Sequence, residues 1–213
     1  MFKGIGKRSM ILFSAAMAFS FALTATAADD GFVSIFNGKD LTGWTVQGLE
    51  KAVPKVKDGA MVVGGWDYWA VISEKEYGDF ILKFDCMFDK KGNSGICVHV
   101  PKKDVFKKQS FEIQLDADAG EVGKKCTGSL FTSKGEFKTA EKNPTKALGE
   151  WNSVEIKYQG KKLSLTINGE AVHTDLDMTQ FDNLKLNDKG HIAIQRNDYK
   201  KAVSYKNIMI KEL

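Results

Sequence analysis

The sequence predicts an all-β domain in which two antiparallel sheets face each other, as in a β-sandwich or jelly roll. After Ala28, short runs that alternate apolar and polar residues follow one another, and turn residues separate them. Neither a long helical period, nor an internal repeat, nor a Pro-rich linker interrupts this pattern. These observations predict a single domain over residues 28–213, preceded by a leader over residues 1–27.

The leader has the composition of a secretory signal peptide. Three basic residues stand ahead of an uncharged apolar run over residues 10–23, and Ala25-Thr26-Ala27 follows that run with the small residues of a cleavage site. The run is short and rich in Ser and Ala for a membrane span. We therefore expect cleavage before Ala28, export to the periplasm or beyond, and no stable membrane anchor afterwards.

The charge balance argues against nucleic acid as a partner. Removing Lys3, Lys7 and Arg8 with the leader reduces the 31 basic residues to 28, against 27 acidic residues. A nearly neutral chain does not imply the clustered basic surface that phosphate binding needs. With 43% hydrophobic residues, the chain is also expected to fold rather than to stay disordered.

The strands are predicted in order from their period of two. The run over residues 80–88 places four apolar residues and Cys86 on one face, and the runs over residues 95–100 and 110–116 alternate in the same way. Further alternating runs are residues 153–158, 162–167, 170–174, 190–195 and 202–213. Asn168-Gly169 predicts a two-residue hairpin turn, because both positions tolerate a positive φ. Only residues 177–184 have the composition of a short helix.

Cys86 is predicted to be a buried free thiol. With Cys86, Cys97 and Cys126 in the chain, at least one thiol has no intrachain partner. The strand phases place Cys86 on a core face and Cys97 on the face opposite to Ile96, Val98 and Val100, which argues against a bridge. Cys126 is expected to be a buried, inert thiol.

One strand carries the most informative polar group. Glu112, Gln114 and Asp116 share the face opposite to the apolar residues of their strand. Along a flat strand the Cα atoms of Glu112 and Asp116 lie about 13 Å apart. The carboxyls of an ordinary glycosidase pair lie about 5 to 9.5 Å apart, so the spacing does not favour such a pair. The alternative is that these residues are solvated on an exposed sheet face.

Other candidate residues allow two interpretations each. Asn93 and Ser94 precede a strand and either meet a ligand or form a turn. Trp66 and Trp69 follow a Gly-Gly pair and either stack on sugar faces or anchor a loop. His99 is a site or a surface residue, and His173 is expected to be exposed beside its hairpin. The spacing of the three histidines predicts no metal site.

Nine short motifs occur in an order that resembles one protein family. They are Phe32-Val-Ser-Ile-Phe-Asn-Gly-Lys-Asp-Leu-Thr-Gly-Trp44, Tyr77-Gly-Asp-Phe80, Asn93-Ser-Gly-Ile96, Phe111-Glu-Ile-Gln-Leu-Asp116, Thr127-Gly128, Glu150-Trp-Asn152, Ile167-Asn-Gly169, Gly190-His-Ile-Ala-Ile-Gln195 and Asn207-Ile208. Together they resemble the 3-keto-disaccharide hydrolase domain family. The resemblance implies a concanavalin-like β-sandwich that cleaves disaccharides oxidised at sugar carbon 3. It implies site residues at Asn93, Ser94, Glu112, Gln114, Asp116 and Gln195.

Three positions depart from the family pattern. His99 and Lys206 stand where relatives often have Arg, and the His expected shortly after the final Gln is missing, with Asn197 in that stretch. These departures leave open a different substrate preference, or binding without catalysis.

The expected chemistry is elimination, because a ketone at carbon 3 acidifies the hydrogen on carbon 2. This route needs one base and an electrophile at the ketone rather than a close carboxylate pair. We expect Glu112 to be the base, oriented by Gln114 or Asp116, with His99, Lys206 or a divalent ion at the oxyanion. A non-catalytic carbohydrate-binding module on the same fold is the alternative, and a structural or protein-interaction domain is the third.

Overall fold

The computed structural model describes residue 1 and residues 30–47, 54–64, 69–103, 105, 111–117, 125–132, 134–182, 184, 186–196 and 201–213. At residues 69, 136 and 196 it describes the backbone only. Contacts between Cα atoms divide the chain into the units Met1–Asp30 and Gly31–Leu213. The predicted leader, Met1 apart, and the cleavage point at Ala28 lie outside the described residues. In the part that is described, no helix is long and apolar enough to cross a membrane.

The unit Gly31–Leu213 is built from β-strands, as the alternating pattern predicts. In chain order they are β1 (Val33–Ser34), β2 (Trp44–Gln47), β3 (Lys55–Lys57), β4 (Ala60–Val63), β5 (Trp69–Tyr77), β6 (Phe80–Phe88), β7 (Asn93–Val100), β8 (Phe111–Asp116), β9 (Leu130–Thr132), β10 (Gly135–Lys138), β11 (Trp151–Gln159), β12 (Lys162–Ile167), β13 (Glu170–Asp177), β14 (Gly190–Arg196) and β15 (Val203–Glu212). A short 3-10 helix, Met178–Gln180, lies within the segment predicted to be helical.

The strands form two antiparallel sheets, which confirms the predicted fold class. Sheet A has the order β13-β12-β11-β6-β15-β4-β3, and β1 pairs with β15. Sheet B has the order β10-β9-β8-β7-β14-β5-β2. Apolar side chains from the strands of both sheets form one continuous core. The arrangement is the two-layer sandwich in which each sheet buries its apolar face against the other.

Two local sequence patterns, the alternation in β6 and the Asn168-Gly169 turn, form the structures that they predict. Strand β6 alternates strictly between buried and half-buried residues, with Phe80, Leu82, Phe84, Cys86 and Phe88 in the core. The hairpin between β12 and β13 turns at Asn168 and Gly169, whose φ angles are 51° and 81°. These positive values are the ones that a two-residue turn requires.

Consecutive strands β6 and β7 belong to different sheets, which corrects the argument about the cysteines. Cys86 lies in sheet A and Cys97 lies in sheet B, so they are not on opposite sides of one sheet. All three cysteines are buried with free thiols, which confirms the prediction for Cys86. Burial raises the pKa of the Cys86 thiol to about 12.

Strands β8, β7 and β14 lie side by side in sheet B, and their inward residues belong to the core. Every residue of β8 is buried, those on its outer face included. A strand that is buried on both faces can therefore carry polar side chains that are shielded from water. This is where the candidate site lies.

Candidate functional site

The outer face of sheet B carries a row of polar residues from three neighbouring strands. Glu112, Gln114 and Asp116 come from β8, Asn93 from β7 and Gln195 from β14. The prediction that the three β8 residues share a face is correct, because Phe111, Ile113 and Leu115 alternate with them in the core. The interpretation of a solvated face is wrong, since these three polar residues are only 5 to 9% exposed.

The side chain of Glu112 crosses the middle strand of this row. Gly95 on β7 pairs with Gln114 on one side and with Gln195 on the other. The Glu112 carboxyl lies over Gly95 so closely that a Cβ at residue 95 would be 2.0 Å from Oε1 of Glu112. The missing side chain at Gly95 is what allows Glu112 to reach across β7 to β14.

Gln195 on β14 binds the Glu112 carboxyl. Nε2 of Gln195 donates a hydrogen bond of 2.7 Å to Oε2 of Glu112. Oε1 of Glu112 and Oε1 of Gln195 are buried and have no hydrogen-bond partner among the described residues. Buried polar atoms are nearly always paired, so two orphans in one pair of side chains indicate a position prepared for a proton or a ligand.

Burial changes the acidity of Glu112. Because removing the carboxylate from water disfavours its charged form, the pKa of Glu112 rises from 4.5 to about 8. A carboxyl with a pKa near neutrality can give or take a proton under physiological conditions. This property is typical of a general acid or base.

Asp116 has partners of its own. Its Oδ2 accepts hydrogen bonds from Nδ2 of Asn93 at 3.1 Å and from Nε2 of Gln114 at 3.3 Å. Its backbone exchanges two hydrogen bonds with the hydroxyl of Thr127, at 2.9 and 3.1 Å. The two carboxyls of β8 are thus bound to different amides, Asp116 to those of Asn93 and Gln114, and Glu112 to that of Gln195.

Ser94 is not in the polar row, which corrects its assignment to the ligand site. Its position in β7 points it into the core, where it is 1% exposed. Its hydroxyl donates to the backbone oxygen of Gln195 at 2.5 Å and accepts from the hydroxyl of Tyr205 at 2.6 Å. Ser94 therefore supports the backbone of Gln195 from behind the sheet instead of meeting a ligand.

The strict alternation also assigns His99 to the wrong face of β7, the outer face that it would share with Cys97. A bulge in β7, where His99 has a φ of 53°, turns His99 toward the core and Val100 toward the outer face with Cys97. The imidazole packs edge-on against Tyr158, and its two nitrogens lie 2.8 Å from backbone oxygens of Asn187 and Gly78. His99 therefore cannot stabilise an oxyanion beside Glu112.

Lys206 lies in the other sheet. It belongs to β15 of sheet A, next to the inward Tyr205, and its Nζ is 4.0 Å from the ring centroid of Trp151. The prediction that Lys206 helps at the site is therefore wrong. Its ammonium makes a cation–π contact instead.

Some predicted site residues lie outside the residues that the structure describes. Trp66 and Asn197 are outside the described residues, and Trp69 is described only as the backbone that opens β5. The expectation for His173 is wrong, because it is buried and its Nε2 lies 2.8 Å from the backbone oxygen of Gly128. Burial lowers the pKa of His173.

Gly95 and Tyr205 support the site but are not among the residues predicted for it. Gly95 stands within a strand, where glycine usually marks a close approach, and that was the available signal. Tyr205 has the phase of a core residue, but nothing local indicates that its hydroxyl meets Ser94. Among the described residues, no group of three or more His, Cys, Asp or Glu side chains is arranged to hold a metal ion.

Comparison with known structures supports the sandwich fold. Two structures of Parabacteroides distasonis proteins, each proposed to be a glycosyl hydrolase, are 24% identical to the chain. One has a TM-score of 0.70 and covers 85% of this chain and 99% of its own, and the other has a TM-score of 0.67 and covers 86% and 94%. The carbohydrate-binding module CBM66 from Bacillus subtilis is 13% identical, with a TM-score of 0.55 and coverage of 80% and 96%.

Among curated protein sequences, none matches this chain. A family model does match, over residues 31–211, and it describes a 3-keto-alpha-glucoside-1,2-lyase-like domain. The match spans nearly the whole unit Gly31–Leu213 and contains every residue of the polar row. The chain belongs to the 3-keto-alpha-glucoside-1,2-lyase-like domain family.

Proposed function

We propose that the protein cleaves the glycosidic bond of 3-keto-disaccharides or related oxidised glycosides, with Glu112 as the base. The observation that carries the proposal is the Glu112 carboxyl, which is buried and bound through one oxygen to Gln195, while its other oxygen has no hydrogen-bond partner among the described residues. Its pKa of about 8 suits the removal of a proton near neutral pH. Family membership supplies the class of substrate.

The reaction is an elimination. The ionised Glu112 takes the proton from carbon 2, and the electron pair of that bond forms the enolate of the ketone at carbon 3. Collapse of the enolate breaks the bond between carbon 1 and the glycosidic oxygen, which leaves with a proton that restores Glu112. Water then adds to the double bond between carbons 1 and 2.

In this proposal the side-chain amide of Gln195 takes the role at the oxyanion that the sequence suggests for His99 or Lys206. Nε2 of Gln195 carries two N–H groups, and one of them donates to Glu112. The second N–H is the donor for the ketone oxygen in our proposal. Carbon 2 and the ketone at carbon 3 are adjacent in the substrate, as Glu112 and Gln195 are adjacent in the site. Removing one such donor typically lowers turnover about 100-fold or more.

The test uses the purified protein with a 3-keto-disaccharide and with its unoxidised parent. Cleavage of the oxidised sugar alone, lost in Glu112→Gln and kept in Glu155→Gln, is the expected result. Glu155 is a matched control because it lies in sheet A, in an exposed ion pair with Lys83. Equal cleavage of both sugars would contradict elimination, and repeating the assay after exhaustive chelation tests the role of a divalent ion.

A carbohydrate-binding module is the second candidate. Its specific support is the likeness of the fold to CBM66, together with the departures from the family pattern. Two of these departures, His99 and Lys206, lie away from the polar row, so they remove no group from it. Binding of either sugar without turnover would favour this second function.

We also propose that the protein is exported to the periplasm or beyond after cleavage between Ala27 and Ala28. The support is the basic start, the apolar run and the small residues of the leader. The intact mass of protein from the native host tests it. A chain that still carries Met1 would contradict export by this route.

A further inference from the structure

The pairing of Glu112 with Gln195 leaves a specific problem of hydrogen bonding. Both side chains end in a planar group with two polar atoms, and one hydrogen bond of 2.7 Å joins Nε2 of Gln195 to Oε2 of Glu112. The other atom of each group is an oxygen, and both oxygens are buried without a partner among the described residues. As a carboxylate and a carbonyl they are both acceptors, so neither can satisfy the other.

One proton on Glu112 would give one of these two oxygens a donor for the other. A protonated carboxyl gains an O–H donor, whereas an ionised carboxyl has none. We propose that Glu112 is protonated in the free protein and donates from Oε1 to Oε1 of Gln195, so that acid and amide form a cyclic pair with two hydrogen bonds. Gln195 is then a positioning residue that holds the proton on Glu112, in addition to its proposed contact with the substrate.

The surroundings of Glu112 agree with a neutral carboxyl. On β7 the thiol of Cys97 lies opposite Glu112, and on β9 its neighbour is Phe131. On β8 the next acidic residue is Asp116, which has its own amide partners. From sheet A, the titratable neighbour on the core side is the hydroxyl of Tyr205. The raised pKa of Glu112 has burial as its cause, with no compensating cation among the described groups.

Gly95 and Ser94 hold the two members of the pair in place. The carboxyl lies over Gly95, where a Cβ would displace it, and the hydroxyl of Ser94 binds the backbone oxygen of Gln195. The pair is thus fixed from β7, the strand that lies between its two members. A fixed geometry is what a cyclic pair of two hydrogen bonds needs, because both bonds must be aligned at once.

The pair makes the resting protein an acid at this site and not a base. Before Glu112 can remove a proton from a ligand, it must lose its own proton. This inference deepens the proposed function but does not depend on cleavage, because it concerns the protein without a ligand. Sugar turnover and the resting protonation state can therefore be tested separately.

Infrared difference spectroscopy of the ligand-free full chain tests the proposal. A protonated carboxyl has a carbonyl stretch at a higher wavenumber than a carboxylate, and hydrogen bonding lowers that stretch. We expect such a band at about pH 6, its loss well above about pH 8, and its absence in Glu112→Gln. Asp116→Asn is the matched control, and its spectrum should retain the band.

The variant Gln195→Leu tests the partner of the proton. Without the amide oxygen, the Glu112 band should move to a higher wavenumber, because the O–H loses its acceptor. If Gln195→Leu does not fold, Gln195→Asn, whose amide is one methylene short, serves the same purpose. A spectrum without a Glu112 band at about pH 6, or a band that does not move in these variants, would overturn the proposal. Since no sugar is present, a failure of the proposed cleavage does not alter either result.

Discussion

The burial of Glu112 predicts that replacing it with Gln changes how stability depends on pH. The carboxyl has a pKa of about 8 in the folded protein and the ordinary value of 4.5 as its reference. Between these two values the folded state holds a proton that the unfolded state has released. The contribution of Glu112 to stability therefore falls as pH rises through this window, and it is lowest above about pH 8.

The size of the effect follows from the shift. Each pKa unit corresponds to about 1.36 kcal/mol, so the interval from 4.5 to about 8 corresponds to about 5 kcal/mol in total. At pH 7 most of the window has been crossed, so the contribution of Glu112 to stability should be about 3 kcal/mol lower than in acid. Glu112→Gln does not ionise and keeps the shape of the side chain. Relative to the wild type, the variant should therefore gain about 3 kcal/mol between about pH 4.5 and pH 7.

Urea unfolding of both proteins over a series of pH values measures this difference. Glu155→Gln is the control, because that carboxyl is half-exposed and its loss should leave the curve parallel to the wild type. If the curves of Glu112→Gln and the wild type are parallel between about pH 5 and pH 8, Glu112 is not a buried neutral carboxyl. That result would refute the reasoning for the site.

Three further outcomes are expected. Gly95→Ala should lower turnover of the oxidised sugar at least tenfold, because the new Cβ would lie 2.0 Å from Oε1 of Glu112 and would displace the carboxyl. An unchanged kcat/KM would contradict this. Tyr205→Phe removes the donor to Ser94 and should cost about 1 kcal/mol in urea unfolding, with no change expected if that hydroxyl is unimportant. Cys86 should react with a thiol reagent only after denaturation, because it is 1% exposed and its pKa is about 12; ready labelling of the native protein would count against the β6 phase.

The strand pattern predicts faces well but not the partners across sheets. The alternation of β6 places Cys86 in the core without any knowledge of neighbouring strands. The sheet to which a strand belongs depends on contacts between residues far apart in sequence. For this reason the pattern predicts Cys86 and Cys97 on the two sides of one sheet, while the chain crosses from sheet A to sheet B between β6 and β7.

His99 shows why a period of two fails at a single residue. The alternation holds only while each residue has an extended backbone, and the φ of 53° at His99 interrupts it. After the bulge, His99 faces the core and Val100 takes the outer face. A positive φ at a histidine has no signal in the sequence around it, so the alternating pattern does not predict this change of face.

The hydrogen-bond partner of Glu112 is not predicted for a related reason. The spacing along β8 relates Glu112 only to Asp116, because both carboxyls lie on that strand at a distance that can be calculated. The bond that positions Glu112 runs across the sheet instead, over Gly95 to Gln195 two strands away. Register between strands is set by the whole sheet, and a single strand carries no information about it.

The corrected site has a different chemical character from the predicted one. With His99 in the core and Lys206 in sheet A, the described polar row contains two carboxyls and the amides of Asn93, Gln114 and Gln195, and no basic side chain. Such a row offers hydrogen bonds to a ligand but no cation to an anionic one. A neutral ligand that offers several hydroxyls and a carbonyl satisfies it without bringing an unpaired charge into a buried position, which would be costly. The geometry of the row therefore favours an uncharged oxidised sugar over an acidic one, and a carboxylated analogue should bind less tightly than the neutral 3-keto-disaccharide.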